Sequence, residues 1–89
     1  MGWRIASGVA WLETESGYLV LDLEHAGAGP VLLESSAAFV WEELATRGRA
    51  TLDEIAGVAV EVFDAEESQV RQDIEALLID LREAHLAVR

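Results

Sequence analysis

The chain has 89 residues, 52% of them hydrophobic, and carries 17 acidic against six basic residues, for a formal charge of −11. This length predicts one domain, residues 1–89, with a single small core. So acidic a chain repels phosphate backbones and anionic lipid, which makes nucleic acid and membrane surfaces unexpected partners. It contains no cysteine, which excludes a disulfide framework, a thiolate metal site and a thiol nucleophile.

The chain is not predicted to enter or cross a membrane. Its apolar runs are far shorter than the roughly 20 residues that span a bilayer. Its first residues, MGWRIASG, lack the long apolar core of a secretory signal. We therefore expect a cytoplasmic protein, and the lack of cysteine is compatible with that compartment.

The first third of the chain predicts three strands. Residues 5–13 alternate in the manner of a strand, and residues 18–24 do so more regularly. The glycine-rich connection at residues 25–30 ends in the only proline, which is typical of a turn between hairpin strands. Residues 31–34 then form a third, short apolar strand.

The chain changes from strand to helix between residues 29 and 41. The apolar residues are consecutive behind the Gly-Pro turn, and they then recur at helical spacing. Ser35 or Ser36 is expected to be the N-cap, with its hydroxyl accepting a hydrogen bond from a first-turn amide. The helix is predicted over residues 36–47, and Gly48 offers a left-handed stop. If the third strand lies at a sheet edge, its free amides and carbonyls can pair with another chain.

Two further helices follow, and each has an N-terminal signal of its own. Thr51 and Glu54 form a capping box, in which each side chain satisfies the other residue's backbone amide. This second helix is predicted to end near Phe63. Asp64 and Glu67 repeat the same signature and begin a third, longer helix that is rich in leucine.

These elements predict an α+β fold in which a three-stranded antiparallel sheet packs on a bundle of three helices. The sheet needs one face covered, and each helix needs its apolar stripe buried. Trp41 falls on such a stripe and is assigned to the core, whereas Trp3 and Trp11 are left open between core and surface. Residues 86–88 are expected to cover the core as a terminal tail. The predicted core joins Leu19, Leu21, Leu23 and Leu33 to Val40, Trp41, Ile55, Val62, Leu77 and Leu81.

No residue pattern predicts catalysis, a metal site or a cofactor. His25 and His85 are sixty residues apart and in no ligand spacing, so we interpret each as a surface histidine. GAGP at residues 27–30 lacks the form of a nucleotide-binding loop and is interpreted as a turn. Adjacent glutamates on the helices diverge in direction and are interpreted as solvated. The chain is therefore expected to bind rather than to catalyse.

Three segments occur in an order that points to a family. LESSAAFVW at residues 33–41 combines the end of a strand, a small polar turn and an alanine-containing helix with an aliphatic-tryptophan pair. TLDEIA then opens a helix, and DIEALLIDLREAHL forms the last one. From about residue 9 to residue 88 this layout resembles the PqqD-like family, the leader-peptide recognition domains of ribosomally made, modified peptides. Within this family, the chain resembles a stand-alone member from a lasso peptide pathway.

The resemblance implies a winged-helix-like fold that binds no DNA and takes an unstructured leader peptide as an added strand. The leader would pair with the third strand and lie against the third helix, in a cleft with apolar walls and an acidic rim. The implied role is to hold the precursor for a transglutaminase-like leader peptidase and an ATP-dependent cyclase that resembles asparagine synthetase. The peptide-binding residues are then predicted to be Val31, Leu32, Leu33, Glu34, Val70, Asp73, Ile74, Leu77 and Asp80.

The sequence leaves two other functions open. Helices two and three, joined by a short turn, are compatible with a winged-helix DNA-binding regulator. Charge argues against it, because the second helix has no basic residue and the third has only Arg71 and Arg82 beside six acidic residues between positions 66 and 83. The remaining alternative is a structural subunit with no peptide ligand.

Overall fold

Strands occupy the first third of the chain, and helices occupy most of the rest. The computed structural model describes residues 2–89. The elements in chain order are β1 (Arg4–Ile5), β2 (Val9–Glu13), β3 (Gly17–Asp22), a 3₁₀ turn (Leu23–Ala28), β4 (Val31–Glu34), α1 (Ser35–Arg47), α2 (Leu52–Phe63), α3 (Glu67–Glu83) and β5 (Ala87–Val88). The bounds of β4 and the end of α2 are those that the sequence predicts.

The main sheet is antiparallel and has the strand order β2-β3-β4. β3 lies in the middle, with Trp11 opposite Val20 on one side and Leu32 opposite Leu19 on the other. α1 follows β4 directly and packs against β3 and β4, while α2 and α3 pack on each other. The predicted α+β fold, a three-stranded antiparallel sheet followed by three helices, is confirmed.

A second, two-stranded sheet joins the two ends of the chain. β1 pairs antiparallel with β5, with Arg4 opposite Val88 and Ile5 opposite Ala87. The prediction of one strand over residues 5–13 is therefore wrong, because the chain turns before β2 at Gly8, which has a φ of 80°. The expectation that residues 86–88 cover the core is confirmed, since Leu86 and Ala87 are buried.

The buried face of β3 is the opposite of the predicted one. Val20 is fully buried and Asp22 is only 7% exposed, whereas Leu23 is 58% exposed and Leu19 36% exposed. Leu21 is half-buried. Because both faces of this strand carry apolar side chains, alternation alone does not say which one the helices cover.

The helical part of the predicted core is largely correct. Trp41, Val40 and Ile55 are fully buried, and Leu81 is also buried. Leu33 of β4, the remaining strand residue of the predicted core, is buried as well. The assignment of Val62 is wrong, because it is 59% exposed near the end of α2, and Leu77 is only partly buried against the core. Of the two tryptophans left open, Trp3 is buried and Trp11 is 43% exposed.

One predicted capping box is present and the other is not. The backbone amide of Glu54 donates to the Thr51 hydroxyl at 3.1 Å, and that of Thr51 donates to the Glu54 carboxylate at 2.8 Å. Asp64 instead ends α2 as its C-cap, in a left-handed conformation with φ 49° and ψ 52°. Glu66 is the residue before α3, and its side chain makes no cap bond. The predicted Asp64 and Glu67 box is therefore wrong.

The junction between β4 and α1 also differs from the prediction. The N-cap is Glu34, which makes no side-chain cap bond, rather than Ser35 or Ser36. Ser35 itself makes the turn, with a φ of 53° that is uncommon for a residue other than glycine. Gly48 ends α1 as predicted and has a positive φ of 78°, but its ψ of −42° differs from that of the left-handed helical conformation.

A polar cluster lies where β3 ends beside the end of α3. Asp22 accepts a hydrogen bond from the backbone amide of Glu24 at 3.0 Å and from His25 Nδ1 at 2.6 Å. His25 and His85 are both exposed, as predicted, but the fold stacks their rings 4.5 Å apart. Burial acts to raise the pKa of Asp22, but the bonds from Glu24 and His25 hold that pKa below its ordinary value.

Asp22→Asn is expected to weaken the acid sensitivity of the fold. A carboxyl whose pKa is lower in the folded than in the unfolded state stabilises the protein above the unfolded pKa of about 4. That contribution is lost as the pH falls through the folded pKa. Urea unfolding between about pH 3 and pH 7 measures this, with Glu24→Gln as the control that removes an exposed neighbouring carboxylate. Equal pH dependence in the wild type and Asp22→Asn would contradict the prediction.

Candidate functional site

β4 has an open edge. It pairs with β3 on one side, and no strand within residues 2–89 pairs with the other. Two hydrogen bonds at the ends of the β2-β3 pair show which way the backbone groups of β3 point. The amide of Thr14 donates to the carbonyl of Gly17, and the amide of Leu23 donates to the carbonyl of Gly8, both at 2.8 Å. Every second residue of β3, from Gly17 onward, therefore directs its backbone groups toward β2. The residues between them direct theirs toward β4.

This alternation identifies the groups that β4 presents at its edge. Leu33 and Val31 of β4 lie opposite Tyr18 and Val20. The backbone groups of Leu33 and Val31 therefore bond to β3. The N–H groups of Leu32 and Glu34 therefore point away from β3, and the carbonyl of Leu32 does the same. Glu34 is the N-cap of α1, and its carbonyl is used by the helix. Three backbone groups are thus free to pair with an extended chain.

A small cavity lies close to the end of this edge. It has a volume of about 190 Å³ and is formed by the end of α2, the connection to α3 and the first half of α3. Val70 and Ile74 are 7% and 3% exposed, so they form its floor, while Asp73 is exposed at its rim. Ser36, two residues beyond β4, is also part of the wall. The lining residues are Ser36, Ala59, Phe63, Ala65, Val70, Asp73 and Ile74.

The structure brings together some of the predicted site residues but not all of them. Val70, Asp73 and Ile74 line the cavity, and Val31–Glu34 form the open strand. Leu77 and Asp80 lie further along α3 and do not line the cavity: Leu77 is partly buried against the core and Asp80 is exposed.

Phe63 is the main residue that sequence reasoning missed. The apolar spacing of α2 predicts that Phe63 lies on the buried stripe of that helix, but it is 48% exposed and contributes to the cavity wall. Its ring meets Phe39 of α1 edge-on, with 5.2 Å between the ring centres. Its position in the sequence indicates this exposure, because Phe63 is the last residue of α2 and no further helical turn covers its side chain.

The charge around the cavity is mostly negative. The Asp73 carboxylate accepts a hydrogen bond from Gln69 Nε2 at 3.0 Å, and Glu66 and Glu67 are exposed at the start of α3. The nearby Arg71 is engaged by Asp53 of α2. An incoming segment with positive charge is therefore favoured at this rim.

The arrangement is suited to binding an extended peptide. The edge of β4 offers backbone partners, the cavity accepts an apolar side chain, and the rim favours a basic one. Within residues 2–89, no three or more His, Asp or Glu side chains are grouped as a metal site would require. None of the described helices has the length and apolar character to span a bilayer.

Comparison with known proteins gives one family and several similar structures. The family model described as coenzyme PQQ synthesis protein D (PqqD) matches residues 15–87. No curated protein matches the chain.

Three solved structures have closely similar folds. A lasso peptide synthetase B1 complexed with the leader peptide gives a TM-score of 0.81 at 21% identity, covering 98% of each chain. TbiB1 in complex with the TbiA(beta) leader peptide gives 0.84 at 17% identity, covering 94% of this chain and 93% of that one. The PqqD truncation of PqqCD from Methylobacterium extorquens, a stand-alone recognition element, gives 0.73 at 23% identity, covering 99% and 89%.

Proposed function

We propose, given that this chain belongs to the family of coenzyme PQQ synthesis protein D (PqqD), that it is a non-catalytic protein that recognises the leader segment of a ribosomally made precursor peptide. The observation that carries this proposal is the open edge of β4 beside the apolar cavity of α2 and α3. Two proteins of similar fold are described in complex with a leader peptide, which supports it.

In this proposal the leader becomes a fourth strand on β4, with side chains directed at Val70, Asp73, Ile74, Leu77 and Asp80. Backbone pairing alone is too weak. Three hydrogen bonds at roughly 1 kcal/mol net each are offset by the roughly 2 to 5 kcal/mol lost in ordering a flexible peptide. Sub-micromolar affinity needs more than about 8 kcal/mol. Apolar leader side chains in the cavity, and over the half-buried Leu77, must therefore supply most of the affinity.

The pathway is proposed to be that of a lasso peptide. One of the structurally similar proteins is described as a lasso peptide synthetase B1, and this description supports the assignment. The bound precursor would be presented in the cytoplasm to a transglutaminase-like leader peptidase and then to an ATP-dependent cyclase. The DNA-binding alternative has less support, because the exposed surfaces of α2 and α3 are acidic and would repel phosphate.

Amide hydrogen exchange with and without the leader of the cognate precursor tests this binding mode. The amides of Leu32 and Glu34 are expected to gain protection on binding, because they face the open edge. The amides of Val31 and Leu33 already bond to β3, so they serve as internal controls that change little. Methyl signals of Val70 and Ile74 should shift at the same leader concentrations. Protection confined to the outer faces of α2 and α3 would contradict strand addition.

Asp73→Arg is expected to weaken binding of a leader that is basic near the cavity. Reversing one exposed charge at the rim changes such an interaction by about 1 kcal/mol or somewhat more, which is a loss of roughly 5- to 20-fold. Calorimetric titration at about 20 mM and about 500 mM salt measures it, since the effect should shrink as the field is screened. Glu83→Arg, an exposed change at the far end of α3, is the matched control. Equal losses from both variants would indicate a non-specific effect of net charge.

A further inference from the structure

A second cavity lies where the two-stranded sheet of β1 and β5 meets the end of β3. Its volume is about 400 Å³, against about 190 Å³ for the apolar cavity of α2 and α3, and this size is within the range of pockets that hold small molecules. The two cavities share no lining residue. We call it the polar cavity, because its walls carry five side chains with hydrogen-bond donors: Arg4, Ser7, His25, Arg82 and His85.

Neither arginine of the polar cavity is bound to a carboxylate. The ion pairs formed within residues 2–89 involve Arg47, Arg71 and His25, and neither Arg4 nor Arg82 takes part in them. A guanidinium group offers N–H donors in a planar fork that matches the oxygen atoms of a phosphate or a carboxylate. The cavity therefore holds two such forks that are free to bind an external anion.

Packing holds several of these donors in place. The Arg82 guanidinium lies over the ring of Trp3, 5.9 Å from the ring centre, and Trp3 is itself buried. His25 is fixed by its 2.6 Å bond to Asp22 and by the stacking of its ring on His85. Donors that are already in position lose less conformational entropy when a ligand binds.

The end of α3, which reaches the cavity, is capped by the chain that follows it. Unpaired carbonyl groups at the end of a helix carry partial negative charge and repel anions. The carbonyls of Asp80, Leu81 and Arg82 accept backbone hydrogen bonds of 2.8 to 3.0 Å from the residues after α3. Because these carbonyls are paired, the end of α3 repels an anion less than an uncapped helix end would.

Two carboxylates also line the polar cavity and limit how strongly it binds an anion. Asp22 is only 7% exposed, and its two oxygens accept from the amide of Glu24 and from His25. The exposed Glu24 side chain lies against Gly8. These two charges balance those of the two arginines, so directed hydrogen bonds rather than net attraction must hold the anion. A simple ion is therefore expected to bind in the millimolar range.

We propose that the polar cavity binds a small molecule through a phosphate group, with Arg4 and Arg82 as the charged donors and with Ser7 beside them. A tetrahedral oxyanion has oxygens for donors on several walls of a cavity, whereas a planar carboxylate suits a single guanidinium fork. Two guanidinium groups also disfavour a metal ion as the ligand. The site does not depend on leader binding, because it shares no residue with the proposed leader site.

Titration with sulfate and with inorganic phosphate, followed by the arginine Nε–H signals in NMR spectra, tests the proposal. The signals of Arg4 and Arg82 are expected to shift and to saturate, while those of the ion-paired Arg47 and Arg71 change little. Sodium chloride at the same ionic strength measures the effect of screening alone. Arg4→Gln and Arg82→Gln should each weaken sulfate binding roughly tenfold, because each removes a charged hydrogen-bond donor.

Three further variants control for net charge and for folding. Arg49 is exposed and lies outside the polar cavity, so Arg49→Gln should leave sulfate affinity unchanged. Glu24→Gln should tighten sulfate binding about threefold, because it removes the exposed carboxylate of the lining. If Arg82→Gln proves unstable through the loss of its contact with Trp3, Arg4→Gln still tests the site, since Arg4 is exposed on β1. Arg82→Lys keeps the charge but not the fork and should give an intermediate affinity.

The outcomes decide the proposal. Saturable shifts at Arg4 and Arg82 that chloride does not reproduce, and that Arg4→Gln weakens, support the site. If sulfate and chloride shift all the arginine signals alike, or if Arg4→Gln binds sulfate like the wild type, the cavity is not an anion site and the proposal is overturned. Acetate that binds as tightly as sulfate would overturn the assignment to a phosphate group.

Discussion

Leu32→Pro is expected to lower leader affinity about 100-fold or more while the domain stays folded. The backbone N–H of Leu32 faces the open edge of β4, so proline removes one of three pairing groups and places its ring against the incoming strand. The lost bond, together with a peptide carbonyl left without its partner, amounts to about 3 kcal/mol. Fluorescence anisotropy with a labelled leader measures the affinity, and far-UV circular dichroism measures the fold.

Two control variants test the reason for this loss. Leu33→Pro should unfold or strongly destabilise the domain, because the amide of Leu33 bonds to β3 and its side chain is only 7% exposed. Leu32→Ala keeps the amide and should retain most of the leader affinity, since the Leu32 side chain lies with Leu19 on the face of the sheet that the helices leave uncovered. If Leu32→Pro binds the leader like the wild type, the leader does not add a strand at β4.

Trp41→Ala is expected to cost about 3 to 5 kcal/mol of unfolding free energy. Trp41 is fully buried in the middle of α1, and the ring of Trp11 meets it edge-on at 5.6 Å. A small domain has a total stability of roughly 5 to 15 kcal/mol, so the variant should be largely or wholly unfolded at moderate urea concentrations. Chemical denaturation followed by far-UV circular dichroism measures this without relying on tryptophan fluorescence.

Trp11→Ala and Trp41→Phe are the matched controls. Trp11 is 43% exposed, so its removal should cost clearly less than that of Trp41. The indole N–H of Trp41 is buried and has no hydrogen-bond partner within the described part of the chain. Phenylalanine removes that unsatisfied donor and leaves a smaller cavity than alanine, so Trp41→Phe should be the milder change. A Trp11→Ala cost equal to that of Trp41→Ala would contradict the assigned core.

The candidate site was predictable where it depends on local sequence. β4 was delimited by the Gly-Pro turn before it and the change to helical spacing after it, and Val70, Asp73 and Ile74 followed from the family resemblance. The cavity was not predictable in full. Phe63 belongs to it because of how α2 ends against α3, and the sequence of α2 alone places that side chain on the buried stripe.

The sequence by itself determined the order and type of the main-sheet strands and of the three helices, because turn residues, the Thr51 and Glu54 capping box and apolar periodicity act within a few residues of one another. Only the tertiary structure decided which face of β3 is buried, since Leu19 and Val20 are both apolar and the choice depends on how α1 packs. It also decided the pairing of β1 with β5 and the stacking of His25 on His85. These contacts join residues far apart in the chain, and local propensities carry no information about them.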